Sequence, residues 1–525
     1  MTRCVPFAVL AAGAVSAVAA LAGASLVHAP GASARATRML VELRPAAVCD
    51  AAGVLRTAGA ATVSTELRLY SLDTRAAARV LPQLRACKAV RLTTLDRPAG
   101  TLSVTDFADP LVPSEWWRTA IGIAGLTPPA KGKPVTIIDS GVNVTHPEFV
   151  GRPDLVMLNA QEPAPLGGVH GTAVASLIGA TENGVGIVGV YPQALLQSWD
   201  SAIGAGTQLD TSEIVKGVLA AAAGGPGVIN LSLGGDSFEV VIQQAIATAI
   251  SKGLLVVAAA GNDGDAGNPL TYPASLPHVL TVAATDEQNR VAPFSSQSRF
   301  VDLAAPGQDM TVATALDQSW QEEDGTSFAS PLVAGAAGWV WTARPDLDAS
   351  QLFEVMRRSA TDIGAPGRDD ASGYGLLSVP TALTYAAPVR DPFEPNDDTE
   401  YVRPGGMYYN GIPPLTTRAK PSATLTARLT IFEDPRDLYP VWVPAKGRIT
   451  ATTASASTVD LTLWAKTTAT VTAPSPGDRL ARGVTKGATE TVTYLNPGGG
   501  KTVFLAVTPG KGAREATYRI AVTAR

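Results

Sequence analysis

Between about Asp109 and Tyr385 the chain repeats one alternation: a short apolar run bounded by Gly, Pro or Asn, then a stretch with helical spacing. The apolar runs are "PVTIID", "ALLQSW", "GVINLSL", "GLLVVAAA" and "HVLTVAA". They lack the strict polar–apolar alternation of a half-exposed strand. Strands of this kind are buried on both faces, as in a parallel sheet covered by helices. The intervening text, such as "FEVVIQQAIATAISKG", carries the helical period. The expected fold of this region is a doubly wound α/β domain with a parallel sheet. In such sheets, sites form beyond the C-terminal ends of the strands.

The flanks differ in kind. Residues 1–36 hold one early Arg, a long apolar run and Ala-x-Ala patterns, and read as a secretory signal peptide, with an uncleaved membrane anchor as the alternative. No later segment approaches the roughly 20 apolar residues that span a bilayer. Residues 37–105 read as a small α+β unit: strands in "RMLVEL", "ATVSTELRLYSL" and "AVRLTTLD", helices in "AAVCDAAGVLRTAG" and "TRAAARVLPQLRAC". Cys49 and Cys87 would each lie on one of those helices, either as a disulfide or as two free thiols. Residues 106–387 form the α/β domain. The Pro- and acid-rich text of residues 388–400 is a linker. Residues 401–525 carry Thr- and Val-rich runs such as "RITATTAS", "TVDLTLWA" and "TVFLAV" between turns, which predicts an all-β sandwich. Of the 525 residues, 17% are charged and the formal net charge is −5, so no basic surface for nucleic acid is expected.

Polar residues stand where the α/β reading puts strand ends and helix starts. Asp139 closes "PVTIID". His170 sits in "GGVHGTAVASLIGA", ahead of an Ala-rich helix. Ser327 sits in "DGTSFASP". Each alone is an ordinary turn or cap residue. Together, in the order Asp, His, Ser, they supply a weak nucleophile, the base it needs and the acid that orients the base. Asn262, in "VVAAAGNDG", follows a buried strand and offers an amide donor for a developing oxyanion. Local rules cap the last helix at Ser330, with Pro331 as its first residue.

These segments resemble those of subtilisin-like serine peptidases. "VTIIDSGVNVTHPEF" is similar to the family's Asp segment and "HGTAVASLIGATENGVGIVGVYP" to its His segment. "INLSLGG" resembles its substrate-binding strand, "AAAGNDG" its oxyanion Asn, and "GTSFASPLVAGAA" its Ser segment. The same chain order of Asp, His and Ser is that of subtilisin. The resemblance implies Ser327 as nucleophile, His170 as base and Asp139 as its orienting acid. Asn262 and the Ser327 N–H would form the oxyanion hole. Ser232, Leu233, Gly234 and Gly235 would pair with an extended substrate. It also implies that the last helix begins nearer Ser327 than Ser330. Catalysis would need no cofactor. Calcium is implied at Glu148 and Asn183, with a solvated acid and a turn Asn as the alternative.

The family further implies that residues 37–105 are a propeptide that inhibits the enzyme. The small and turn-forming residues between about Ala99 and Pro110 make that segment the expected place where the precursor cuts itself. The expected protein is a secreted, monomeric serine endopeptidase acting on peptides or proteins. A membrane-anchored processing protease, or a catalytically silent protein that binds peptides or cell-wall material, is the alternative.

Overall fold

The structure, a computed structural model, describes residues 38–45, 49–160, 169–202, 208–315, 319–396, 413–431, 433–468, 471, 474–483 and 488–525, apart from 97–108. The signal-peptide expectation for residues 1–36 lies outside the described residues, as does most of the expected processing window. The chain divides into two compact units, Met1–Thr105 and Asp106–Arg525. Among the described residues, no helix is long and apolar enough to cross a membrane.

The first unit is an antiparallel sheet, β1 (Arg38–Leu43), β2 (Ala61–Ser64), β3 (Leu69–Asp73) and β4 (Val90–Asp96), in the order β2-β3-β1-β4. It carries α1 (Ala51–Thr57) and α2 (Thr74–Ala86). The helices start where Asp50 and Asp73 accept hydrogen bonds from first-turn N–H groups. Leu55, Leu72, Leu81 and Leu84 make its core. Two expectations need correction. The run "ATVSTELRLYSL" is not one strand: it turns at Arg68, whose φ is 52°, to pair β2 with β3. The cysteines lie beside the helices rather than on them. Cys49 precedes the cap Asp50, Cys87 is the C-cap of α2, and the two are disulfide-bonded.

In the second unit a short α3 (Trp117–Ala120) precedes the sheet. The strands are β5 (Pro134–Asp139), β6 (Leu155–Met157), β7 (Leu195–Asp200), β8 (Val228–Leu231), β9 (Leu255–Ala259), β10 (Val279–Thr285) and β11 (Val301–Pro306). They align in the order β11-β10-β9-β8-β5-β7-β6, with every neighbouring pair parallel. Helices α4 (Val169–Gly179), α5 (Thr211–Ala223) and α6 (Val240–Ser251) connect them. A hairpin, β12 (Met310–Ala313) and β13 (Trp320–Glu323), leads into α7 (Thr326–Ala343). Next come α8 (Ala349–Arg358) and α9 (Val379–Thr384).

The strands read as continuous apolar runs because both faces are covered. Ile137 of β5 joins a core with Val174, Leu177, Leu332 and Val333. Its neighbour Ile138 joins the opposite core with Ile214, Val218 and Ile246. Each such side chain contributes about 1.5–3 kcal/mol on full burial. Helix α7 is buried almost all round, so it carries no polar stripe.

The chain ends in two packed antiparallel sheets. One is β14 (Ser422–Thr430), β21 (Glu515–Ala524), β16 (Arg448–Ser455) and β19 (Thr489–Leu495); the other is β15 (Asp437–Val443), β20 (Lys501–Pro509), β17 (Val459–Ala465) and β18 (Arg479–Arg482). Ile449, Val492, Tyr518 and Ile520 of the first meet Val441, Leu461, Leu463 and Leu505 of the second in one core.

Candidate active site

The order of strands reverses at β5: the chain adds β7 and β6 on one side, and β8, β9, β10 and β11 on the other. The crevice beyond the C-terminal ends at such a point is where open α/β sheets place ligands. Asp139 is the last residue of β5 and is buried. Its Oδ1 accepts from the Ser140 N–H at 2.7 Å. His170 lies in the first turn of α4. Its Nδ1 stands 2.9 Å from Asp139 Oδ1 and 3.0 Å from Oδ2. Gly171 makes this approach feasible: a Cβ there would lie 2.1 Å from the Gly141 carbonyl oxygen. With no side chain, the helix start rests directly on the loop after β5, and the Gly171 N–H donates to Ser140 Oγ.

Burial alone would lower the pKa of His170. The charge and hydrogen bond of Asp139, together with the charge of Glu323, outweigh that effect and leave it above the usual 6.5. The carboxylate therefore fixes the proton on Nδ1 and leaves Nε2 as the basic nitrogen.

Ser327 is in the first turn of α7. The expectation of a cap at Ser330 is overturned: α7 begins at Thr326 and takes Pro331 inside. The reason is tertiary. Asn262 Oδ1, from the loop after β9, accepts from both the N–H and the hydroxyl of Thr326, each at 2.9 Å. In an α-helix the Ser327 carbonyl would accept from residue 331, and Pro331 has no N–H. Ser232, just past β8, donates its hydroxyl to that carbonyl at 2.8 Å. Beneath it, Asn230 Nδ2 donates to Ser232 Oγ at 3.0 Å, and Ser330 Oγ donates to Asn230 Oδ1 at 2.6 Å. Side chains just beyond β8 and β9 thus replace both the cap and the missing helical bond. Ser232 and Asn262 were singled out in the sequence for other roles, and Asn230 was not. The only signal for this support was a Pro four residues after a candidate nucleophile.

The two bonds at Asn262 Oδ1 also orient its amide. The oxygen is committed to Thr326, so Nδ2 is the group left to face the cleft. Gly325 brings the backbone close to it: a Cβ at Gly325 would lie 3.4 Å from Asn262 Nδ2. Gly261, at φ 108°, has no room for a side chain, since a Cβ would lie 2.3 Å from Thr271 Oγ1.

The candidate residues line two cavities. One, of about 510 Å³, holds Asp139, His170, Leu209, Ile242 and Tyr272. The other, of about 320 Å³, holds Asn262, Thr326 and Ser327. Ser232 to Gly235 line both. His170 is tied to the second by its ring contact with Phe328, 5.8 Å between centroids. Ser327 Oγ donates to the Ser232 carbonyl at 3.3 Å. Among the described residues no hydrogen bond joins it to His170. Apo catalytic contacts are often loose in this way. In the segment Ser232 to Gly235, the N–H and C=O of Gly235 pair with Tyr272 at 3.0 and 2.8 Å.

Glu148 and Asn183 are each held by N–H groups through one acceptor oxygen. Glu148 Oε1 accepts from the Ile187 N–H and the Trp320 indole, and Asn183 Oδ1 from the Val185 N–H. Asn183 Nδ2 donates to the Pro147 carbonyl. Burial pushes both Glu148 and the nearby Glu115 up to about 8. Glu148 Oε2, Glu115 Oε2 and Asp109 Oδ2 are buried without a hydrogen-bond partner.

The model of the subtilase family (Peptidase_S8) matches residues 130–375. The minor extracellular protease Epr of Bacillus subtilis (strain 168) is 34% identical over 281 residues, spanning 53% of this chain and 42% of Epr. Subtilisin Savinase of Lederbergia lenta is 35% identical over 258 residues, spanning 49% of this chain and 92% of that protein. Subtilisin DY of Bacillus licheniformis is 35% identical over 252 residues, 47% of this chain and 89% of its own. The chain thus spans under half the length of Epr and nearly all of the shorter subtilisins. The matched region contains Asp139, His170, Asn262 and Ser327, and the chain belongs to the subtilase family of serine endopeptidases.

Proposed function

We propose that this chain is a secreted endopeptidase, made as a precursor that processes itself, and that it hydrolyses peptide bonds with Asp139, His170 and Ser327. The observation that carries this reading is the Asp139–His170 contact at 2.9 Å, placed beside the start of α7 where Ser327 stands.

Ser327 Oγ attacks the scissile carbonyl while its proton passes to His170 Nε2. The buried Asp139 carboxylate stabilises the imidazolium that forms. The carbonyl oxygen becomes an oxyanion held by Asn262 Nδ2 and the Ser327 N–H, and the dipole of α7 favours its charge. His170 then gives the proton to the leaving amine. Water, deprotonated by the same imidazole, hydrolyses the acyl-enzyme and restores Ser327. The substrate backbone would pair within the segment Ser232 to Gly235. The 510 Å³ cavity, lined by Leu209, Ile214, Ile242 and Tyr272, suits an apolar side chain upstream of the cut.

Residues 37–105 act as the propeptide and inhibit the mature enzyme. Cleavage between about Ala99 and Pro110 frees it, in a segment rich in small and turn-forming residues. Export fits the N-terminal apolar run and the Cys49–Cys87 disulfide, which is a feature of oxidising compartments.

One experiment tests the core of this reading. The Ser327→Ala precursor should remain uncut between 99 and 110, fail to label with a fluorophosphonate probe and cleave no peptide. The unsubstituted chain should be cut in that window, take the label and cleave peptide. Equal processing of both forms in a protease-deficient host, or cleavage that survives Ser327→Ala, would exclude the assignment.

A further inference from the structure

Where the chain leaves the α/β domain it enters the sandwich through an acidic corner. Asp391 and Glu394 come from the connecting segment. Asp434 lies in the turn after β14, and Asp437 opens β15. Each offers a carboxylate oxygen, and these oxygens all lie within 4.8 Å of one another. Asp391, Asp434 and Asp437 are buried, the last completely. We propose that these four residues bind a calcium ion that clasps the connecting segment to the β-sandwich.

Carboxylates gathered in a buried corner repel one another and lose their hydration, which is costly unless a cation or protons compensate. Asp391 points to the cation. It is only 8% exposed, its Oδ2 accepts from the Arg428 N–H, and its Oδ1 has no hydrogen-bond partner. The guanidinium of Arg428 is turned to Glu354 at 2.6 Å.

The buried Asn396 amide donates to Asp437 Oδ1 at 2.8 Å and to Glu394 Oε1 at 2.9 Å, so it holds these two carboxylates together.

The donor set chooses the ion. All candidate ligands are oxygens, which suits a hard cation and not zinc or copper. Calcium–oxygen bonds of about 2.3–2.6 Å put ligands on opposite sides of the ion about 5 Å apart, close to the spread of this cluster. The surroundings are built to hold it. The Tyr518 hydroxyl donates to Asp437 Oδ2 and sits 2.7 Å from the Tyr439 hydroxyl. The Leu438 N–H donates to the Asn396 carbonyl at 2.8 Å, which fastens the segment to β15.

The same corner faces the α/β domain across a cavity of about 300 Å³ lined by His278, Phe353 and Glu354 as well as Asp391, Glu394 and Asp434. Glu433, beside Asp434, accepts from the His278 N–H, and His278 Nε2 lies 3.4 Å from Glu394 Oε2. The ion would therefore stabilise the seating of the sandwich on the α/β domain.

The test uses full-length Ser327→Ala chain, stripped of metal, titrated with calcium chloride by calorimetry and followed by thermal unfolding. Saturable binding and a higher Tm are expected. Asp391→Asn with Asp434→Asn should weaken binding at least tenfold and remove most of the Tm rise, while Glu148→Gln should leave both. Circular dichroism checks folding, and Glu394→Gln alone replaces the double variant if that one is misfolded. No saturable binding by the Ser327→Ala chain at millimolar calcium overturns the proposal. So does undiminished binding in the corner variants, loss of binding in Glu148→Gln instead, or an equal response to magnesium.

Discussion

Replacing Ser232 by Ala removes one oxygen from a site where two groups depend on it. The Ser327 carbonyl accepts from Ser232 Oγ at 2.8 Å, and Asn230 Nδ2 donates to the same oxygen at 3.0 Å. Asn230 is fully buried and Ser232 is 3% exposed, so water does not readily replace the hydroxyl. Pro331 cannot supply the helical bond to Ser327. A buried polar group left without a partner costs about 1–3 kcal/mol. Two such groups, with the Ser327 carbonyl near the low end because Ser327 is only half-buried, put the loss of stability at about 2–4 kcal/mol. The assay is denaturant unfolding in the Ser327→Ala background, where self-digestion does not interfere.

A double-mutant cycle isolates the cause. Pro331→Ala returns an N–H to the helix opposite the Ser327 carbonyl. Ser232→Ala should then cost less, by about 1 kcal/mol or more, than it does with Pro331 in place. In the active chain Ser232→Ala should lower kcat more than it raises KM, because the nucleophile's turn is freed to shift. Additive effects in the cycle, or a cost under about 0.5 kcal/mol for Ser232→Ala alone, would refute the reasoning.

Asn262→Ala should reduce kcat by about 10²–10³-fold, the loss known for an oxyanion donor of a subtilisin, with KM little changed; an unaltered kcat removes Asn262 from the site. Because His170 must be neutral to act as base and its pKa lies above 6.5, kcat/KM should rise with pH through a value above 6.5. Glu323→Gln removes one of the charges that raise it, so this acid limb should move to lower pH, and an unmoved limb rejects the coupling. Glu148 holds its proton in the folded chain up to about pH 8, against a usual 4.5, so the native state binds a proton that the unfolded state releases within that window. Stability should therefore fall as pH rises from about 4.5 to 8. Glu148→Gln, unfolded with chelator present, should gain on the parent at pH 8 relative to pH 5, and parallel curves would contradict the assigned burial.

The α/β sheet was legible because its cause is local. A strand buried on both faces must be apolar throughout, so "PVTIID" and "GLLVVAAA" announce a parallel sheet wherever they occur. Asp139 at a strand end, Asn262 after another, and His170 and Ser327 at helix starts follow from the same pattern, because turns there expose polar side chains. The two-sheet end was legible in Thr- and Val-rich runs, although β15 and β18 carry too little of that signal. Sequence patterns fail where a bond joins residues far apart. The Ser232–Ser327 contact crosses 95 positions, and it decides how α7 begins despite Pro331. The pairing of Gly235 with Tyr272 is another such contact. Glu148 and Asn183 were singled out by position, and only the tertiary fold decides which of their oxygens accept N–H groups. The acidic corner shows the converse. "DPFEPN" and "EDPRD" are unremarkable apart, and only the docking of the connecting segment onto β15 brings their oxygens within 4.8 Å. Periodicity fixes which faces are buried; which polar atoms meet there depends on how those faces pack.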